Sequence, residues 1–162
     1  MTSLLIITPV DKLQDNINKK IKENDAKLVV FISLNKTQKS TEETFLKEKI
    51  NIEKIFFIDC VTSEKTKEEV LHIKPDNLDM LSEAISEFID NIPGEKLVII
   101  DALSTLLIYN SENKVAQFIK NITSFASRKN TEIIAFSPET QGEELLEKIY
   151  NFFDKVEKNK DK

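Results

Sequence analysis

The residues of this chain that could do chemistry stand at the ends of its apolar runs. Leu97-Val98-Ile99-Ile100 leads into Asp101, and Ser104 and Thr105 follow closely. An apolar run that delivers one acid is how phosphoryl-transfer sites hold a magnesium ligand. It is equally how an Asp caps the turn after it with its own side chain, and both readings stand at this point. Leu28 to Leu34 is followed by Asn35-Lys36, Ile55 to Cys60 ends in Asp59-Cys60, and Leu4 to Thr8 runs into Pro9-Val10-Asp11-Lys12. Asp59 could share a divalent cation with Asp101 or accept a phosphoryl group, although a phosphoacceptor site expects an acidic pair after the first run, where only Asp11 stands. Lys12 and Lys36 could draw an anion at helix starts, with solvated surface lysines as the plainer account. Cys60 reads as a small buried hydrophobe. His72 reads as a partly buried or surface side chain without a catalytic partner.

Counting narrows the chemistry. The chain has 162 residues, enough for one core, with 28 acids against 23 bases and a formal net charge of −5. That balance disfavours nucleic acid, which demands clustered Lys and Arg. The local basic groups at Lys19, Lys20 and Lys22 and from Lys155 to Lys162 have acids interleaved. No apolar run approaches the roughly 20 residues that span a bilayer. MTSLLIITPVDK lacks a basic segment before its apolar stretch and a small-residue cleavage site, so a cytoplasmic protein without membrane partners is expected. The two glycines, Gly94 and Gly142, lack the continuation of a phosphate-cradling loop. One Cys and one His exclude a disulfide framework and a Cys/His zinc site.

The elements that must position these residues alternate. Leu4–Thr8, Leu28–Leu34, Ile55–Cys60, Leu97–Asp101 and Ile133–Ser137 are near-continuous apolar runs, as strands of a parallel sheet covered on both faces should be. Helical periodicity lies between them. The first helix is expected to be capped by Thr8 with Pro9 in its first position, and to bury Val10, Leu13, Ile17 and Ile21. A capping-box spacing from Ser40 to Glu43 opens the second. Leu78 to Ile92 is strongly amphipathic and stopped by Pro93-Gly94, a fourth helix carries Val115 to Ala126, and a last one carries Leu145, Leu146 and Ile149. Residues around Leu71-His72 and around Lys155-Val156 are potential edge strands. The pattern predicts a doubly wound three-layer α/β sandwich with a mainly parallel sheet, residues 1–157 forming one domain and 158–162 a charged tail.

The stretch Leu97 to Asn110, followed by a helix and Glu132 to Ser137, resembles the Walker B half of RecA-superfamily ATPases, most closely the KaiC-like archaeal branch. The resemblance implies a RecA-like sheet in which the five runs, numbered along the chain, lie in the order 3-2-4-5-1. It also implies a remnant ligand site of Thr8, Asp11, Asn35, Lys36, Asp101, Ser104 and Thr105, with Asp101 as a weak metal ligand. Three departures accompany it. Thr8-Pro9-Val10-Asp11-Lys12 stands where the family has its glycine-rich phosphate loop, Asn35 falls where the family's catalytic glutamate is sought, and Asp101 alone keeps a matching role. Asn cannot take a proton from an attacking water. The expectation is therefore a degenerate domain with no catalytic residues and no cofactor, acting by binding a protein partner or itself, with Leu106 to Tyr109 as a contact surface or as core. The alternative is an ATPase-like protein that still binds ATP and magnesium or another phosphorylated ligand.

Overall fold

A computed structural model describes residues 3–61, 71–139 and 147–159. Its strands are β1 (Ser3–Thr8), β2 (Leu28–Ser33), β3 (Ile55–Asp59), β4 (Leu71–His72), β5 (Lys96–Asp101), β6 (Glu132–Pro138) and β7 (Lys155–Lys158). The helices are α1 (Leu13–Glu23), α2 (Gln38–Lys47), α3 (Leu78–Asn91), α4 (Leu106–Tyr109) and α5 (Glu112–Arg128). All pairings are parallel, in the order β4-β3-β2-β5-β6-β1-β7. The five central strands follow the expected order, and both suspected edge segments join the sheet outside them.

The sheet is covered on both faces because each strand alternates two apolar sets. Leu4, Ile6, Val29, Phe31, Phe57, Leu97, Ile99, Ile134 and Phe136 meet Ile17 and Ile21 of α1 and Phe45 of α2. Their strand neighbours, including Leu5, Ile7, Val30, Ile32, Val98 and Ile100, meet α3 and α5 through residues such as Leu81, Ile85, Phe118 and Ile122. The chain steps one way across the sheet from β1 through β3 and the other way from β4 to β6. Right-handed crossovers place helices of opposite travel on opposite faces, which accounts for the two layers. On the first face the rings of Phe31 and Phe45 meet edge-on at 5.3 Å, and Phe57 lies 6.3 Å from Phe45.

Local sequence set most boundaries. Asn77 caps α3 by accepting from the Met80 amide at 3.1 Å, and Ser111 caps α5 at Lys114. Gly94 turns the chain after α3 with φ +96°, a conformation costly for any side-chain-bearing residue.

Two helix starts differ from expectation. Thr8 ends β1 instead of capping a helix, and its hydroxyl accepts from Asn16 Nδ2 at 2.8 Å. A tight 3-10 turn over Val10–Lys12 precedes α1 and shifts the helical phase, so Val10 is 64% exposed while Ile17 and Ile21 are buried. The second helix begins at Gln38, with the Thr37 hydroxyl accepting from the Ser40 amide, so Ser40 lies inside it. Leu145 and Leu146 of the last expected helix lie outside the described residues; Ile149 is buried, as its spacing required.

Candidate functional site

In an open α/β sheet the ligand crevice lies beyond the carboxyl ends of strands whose connections leave in opposite directions. Here those strands are β2, which leads toward β3, and its neighbour β5, which leads toward β6. Ser33 pairs with Asp101 in register at this point, and the next residues bring Asn35, Lys36, Ser104 and Thr105 to the same edge.

Asp101 is 3% exposed and is followed by a cis peptide bond to Ala102. Its Oδ1 accepts from Asn35 Nδ2 at 3.3 Å, and the Thr105 hydroxyl donates to Asn35 Oδ1. Burial pushes its carboxyl from 3.8 up to about 6, against the opposing pull of the Lys36 charge and the Asn35 hydrogen bond. Lys36 Nζ itself donates to Gln14 Oε1 at 2.9 Å, and Gln14 Nε2 donates to Asn18. The neighbours Asn35 and Lys36 thus tie the end of β2 to β5 on one side and to α1 on the other. Ser104 and, at the end of adjacent β6, Ser137 are buried with hydroxyls that find no hydrogen-bond partner among the described residues.

Other expected residues stand apart. Thr8 is two strands from β5, roughly 10 Å at the usual strand spacing, and Asp11 is exposed on the 3-10 turn. Asp59 lies two strands away on the opposite side. Its Oδ2 accepts from the Gln38 amide at 2.9 Å and its Oδ1 from the Val61 amide at 2.8 Å, so it caps α2 and the turn after β3. That engagement and its 1% exposure argue against a phosphoacceptor role. No group of three metal-ligating side chains occurs among the described residues. Cys60 is a buried thiol pushed up to about 12, first by burial and then by the Asp59 charge, so it stays protonated. His72 is half-buried opposite Asp59, with neither ring nitrogen hydrogen-bonded among the described residues.

The first turn departs from a phosphate-cradling loop. Cradling phosphate takes several unspent backbone N–H groups at close approach. Pro9 has none, the Lys12 amide is spent on Pro9 O at 3.0 Å, and the Leu13 amide is spent on Val10 O. Asp11 adds a repelling charge.

The same edge carries an unexpected feature. Among the described residues, Val10, Val61, Leu71, Met80, Ile108 and Tyr109 are exposed large hydrophobics at or just beyond the carboxyl ends of the strands, whereas Leu46 and Phe56 alone are exposed toward the other end. Of the Leu106 to Tyr109 stretch, Leu106 is buried, Leu107 partly so, and Ile108 and Tyr109 are 74% and 52% exposed. Core and surface thus share one four-residue helix.

The family described as "Protein of unknown function (DUF835)" matches residues 6–148. The chain belongs to the DUF835 family. No curated protein matches it, while 138 chains of solved structures do. One is a KaiC-like protein, PH0186, from the hyperthermophilic archaeon Pyrococcus horikoshii OT3, with a TM-score of 0.62 at 12% identity over 89% of this chain and 67% of that one. Another is the uncharacterized protein PH0321 from Pyrococcus horikoshii, solved in complex with an unknown peptide, with a TM-score of 0.73 at 10% identity over 98% of this chain and 77% of that one. At such identities the likeness is one of fold. This DUF835 chain therefore has the KaiC-like, RecA-like three-layer sandwich that the stretch from Leu97 to Asn110 suggested. Among the described residues, no helix is long and apolar enough to cross a membrane.

Sequence reasoning placed Ser137 at this edge, after the fifth apolar run, but missed Gln14, Asn16 and Gln38 as participants. Their roles come from inter-strand register and the packing of α1 and α2, which leave no local pattern.

Proposed function

We propose that this domain neither binds nor hydrolyses nucleotide and works in the cytoplasm as a protein-interaction or regulatory module, engaging a protein partner or a second copy. The observation that carries this reading is the apolar rim. Where a phosphate site needs donors and positive charge, the chain presents Val10, Ile108, Tyr109 and their neighbours to solvent. Large apolar side chains gathered at one end of a sheet suit a contact surface where they form a continuous patch. The spent Lys12 and Leu13 amides and the Asp11 charge in the first turn support the reading, as does Asn35, whose amide cannot serve as a general base. A peptide-bound neighbour of the same fold lends support by analogy.

A second reading rests on one specific observation. The buried, unpartnered hydroxyls of Ser104 and Ser137 flank the end of β5, where they could meet a small phosphorylated or polar ligand beside Asp101. Amide NMR spectra during titration with ATP and magnesium separate the two. The interaction reading expects unmoved resonances for residues 8–12 and 101–105. Saturable shifts confined to those residues would overturn it in favour of a ligand site.

A further inference from the structure

A groove of about 440 Å³ opens between the first three turns of α3 and of α5. Leu78 and Phe118 are its apolar lining, and Asp76, Asp79 and Glu83 on one wall face a single Lys114 on the other. Among the described residues none of the three carboxylates has a hydrogen bond or ion pair through its side chain. Asp79 sits in the first turn of α3, where the helix dipole favours an acid. Asp76 precedes the helix and Glu83 lies beyond the first turn, so that account does not extend to them.

The groove reaches the end of α4. Asn110 lines it and also ends α4, donating to Pro75 O at 2.9 Å and to Leu106 O at 3.0 Å. The exposed Ile108 and Tyr109 immediately precede Asn110 in the chain. A groove lined by three carboxylates over Leu78 and Phe118, and ending at the residue that follows two exposed large apolar side chains, suits a segment carrying an apolar anchor next to Lys or Arg.

We propose that this groove docks a short basic peptide segment of a partner protein, with a large apolar residue against Ile108 and Tyr109 and a cationic side chain between Asp79 and Glu83. The proposal rests on the interaction reading above and names the site and the partner's chemistry.

The test is selection of random dodecapeptides displayed on phage against the folded chain. The selected sequences are then measured by fluorescence anisotropy on the parent, Ile108→Ser, Glu83→Lys and Leu46→Ser, each checked for an unchanged circular dichroism spectrum. The expected result is enrichment of Lys or Arg beside a large apolar residue, with affinity that falls as salt rises. Binding should weaken about tenfold, or roughly 1.4 kcal/mol, in Ile108→Ser and in Glu83→Lys and stay unchanged in Leu46→Ser, which lies away from the rim. Selected peptides that bind all four proteins equally would overturn the groove and leave the interaction reading standing. Failure to select any peptide would overturn the groove as a peptide site. A concentration-dependent dimer in sedimentation that Ile108→Ser abolishes would overturn it too, by making a second copy the occupant.

Discussion

Replacing Asp101 by Asn should stabilise the protein, and the gain should appear only as pH rises. Burial lifts the Asp101 carboxyl from 3.8 to about 6 in the folded chain. Between those values the folded state holds a proton that the unfolded state has released, so folding stability falls as pH climbs through this window and is flat above it. At about 1.4 kcal/mol per pKa unit, the difference of roughly two units corresponds to about 3 kcal/mol at neutral pH. Asn is nearly isosteric, keeps an acceptor for Asn35 Nδ2, and never ionises. Urea denaturation of parent and variant at several values from about pH 4 to pH 7.5 isolates the effect, because all other titrating groups are common to both. The two should have similar stability near pH 4 and diverge by up to about 3 kcal/mol near pH 7. A gap that is constant with pH, or a variant less stable at neutral pH, would refute the inference that Asp101 is an ionised group held in the interior at a cost.

Three further outcomes follow from neighbouring contacts. Asn35→Ala removes the hydrogen bond that holds the Asp101 carboxyl down; the Asp101 side-chain carbon resonance should titrate at higher pH than in the parent, and stability near neutral pH should fall by about 1 kcal/mol. Asp59→Ala leaves the Gln38 and Val61 amides without their acceptor and should cost about 1–3 kcal/mol in denaturant melts, while the parent treated with a phosphodonor should keep its intact mass. Phe45→Ala empties a fully buried ring site against Phe31 and should cost about 3–5 kcal/mol, whereas Leu46→Ala next to it, 57% exposed, should stay within about 0.5 kcal/mol.

Much of this architecture was legible in the sequence. Strands such as Leu97–Asp101 are apolar on both faces, and that continuity specifies a covered parallel sheet before any contact is known. The order of the five central strands came from a resemblance carried by Leu97 to Asn110, and the structure bears it out. Two helix starts were misread because local signals competed with tertiary ones. Ser40 and Glu43 have capping-box spacing, yet α2 begins earlier, where Thr37 caps it and Asp59 receives the Gln38 amide from a different strand. Val10 fits a helical stripe, but a 3-10 turn rotates it into solvent. At the site, Asp101, Asn35 and Thr105 were found from their places at strand ends. The Lys36 to Gln14 hydrogen bond and the stranded Ser137 hydroxyl depend on helix packing and register, which a single chain does not display.

The measurement that bears most directly on the account is a thermal-shift titration with ATP and magnesium on the parent and on Asp101→Ala. A ligand that binds only the folded state adds about 2.7 kcal/mol at a hundredfold excess over its dissociation constant, so even modest affinity registers. The account predicts no ligand-dependent shift in either protein. A shift in the parent that disappears in Asp101→Ala would contradict it and establish a surviving nucleotide site at the end of β5.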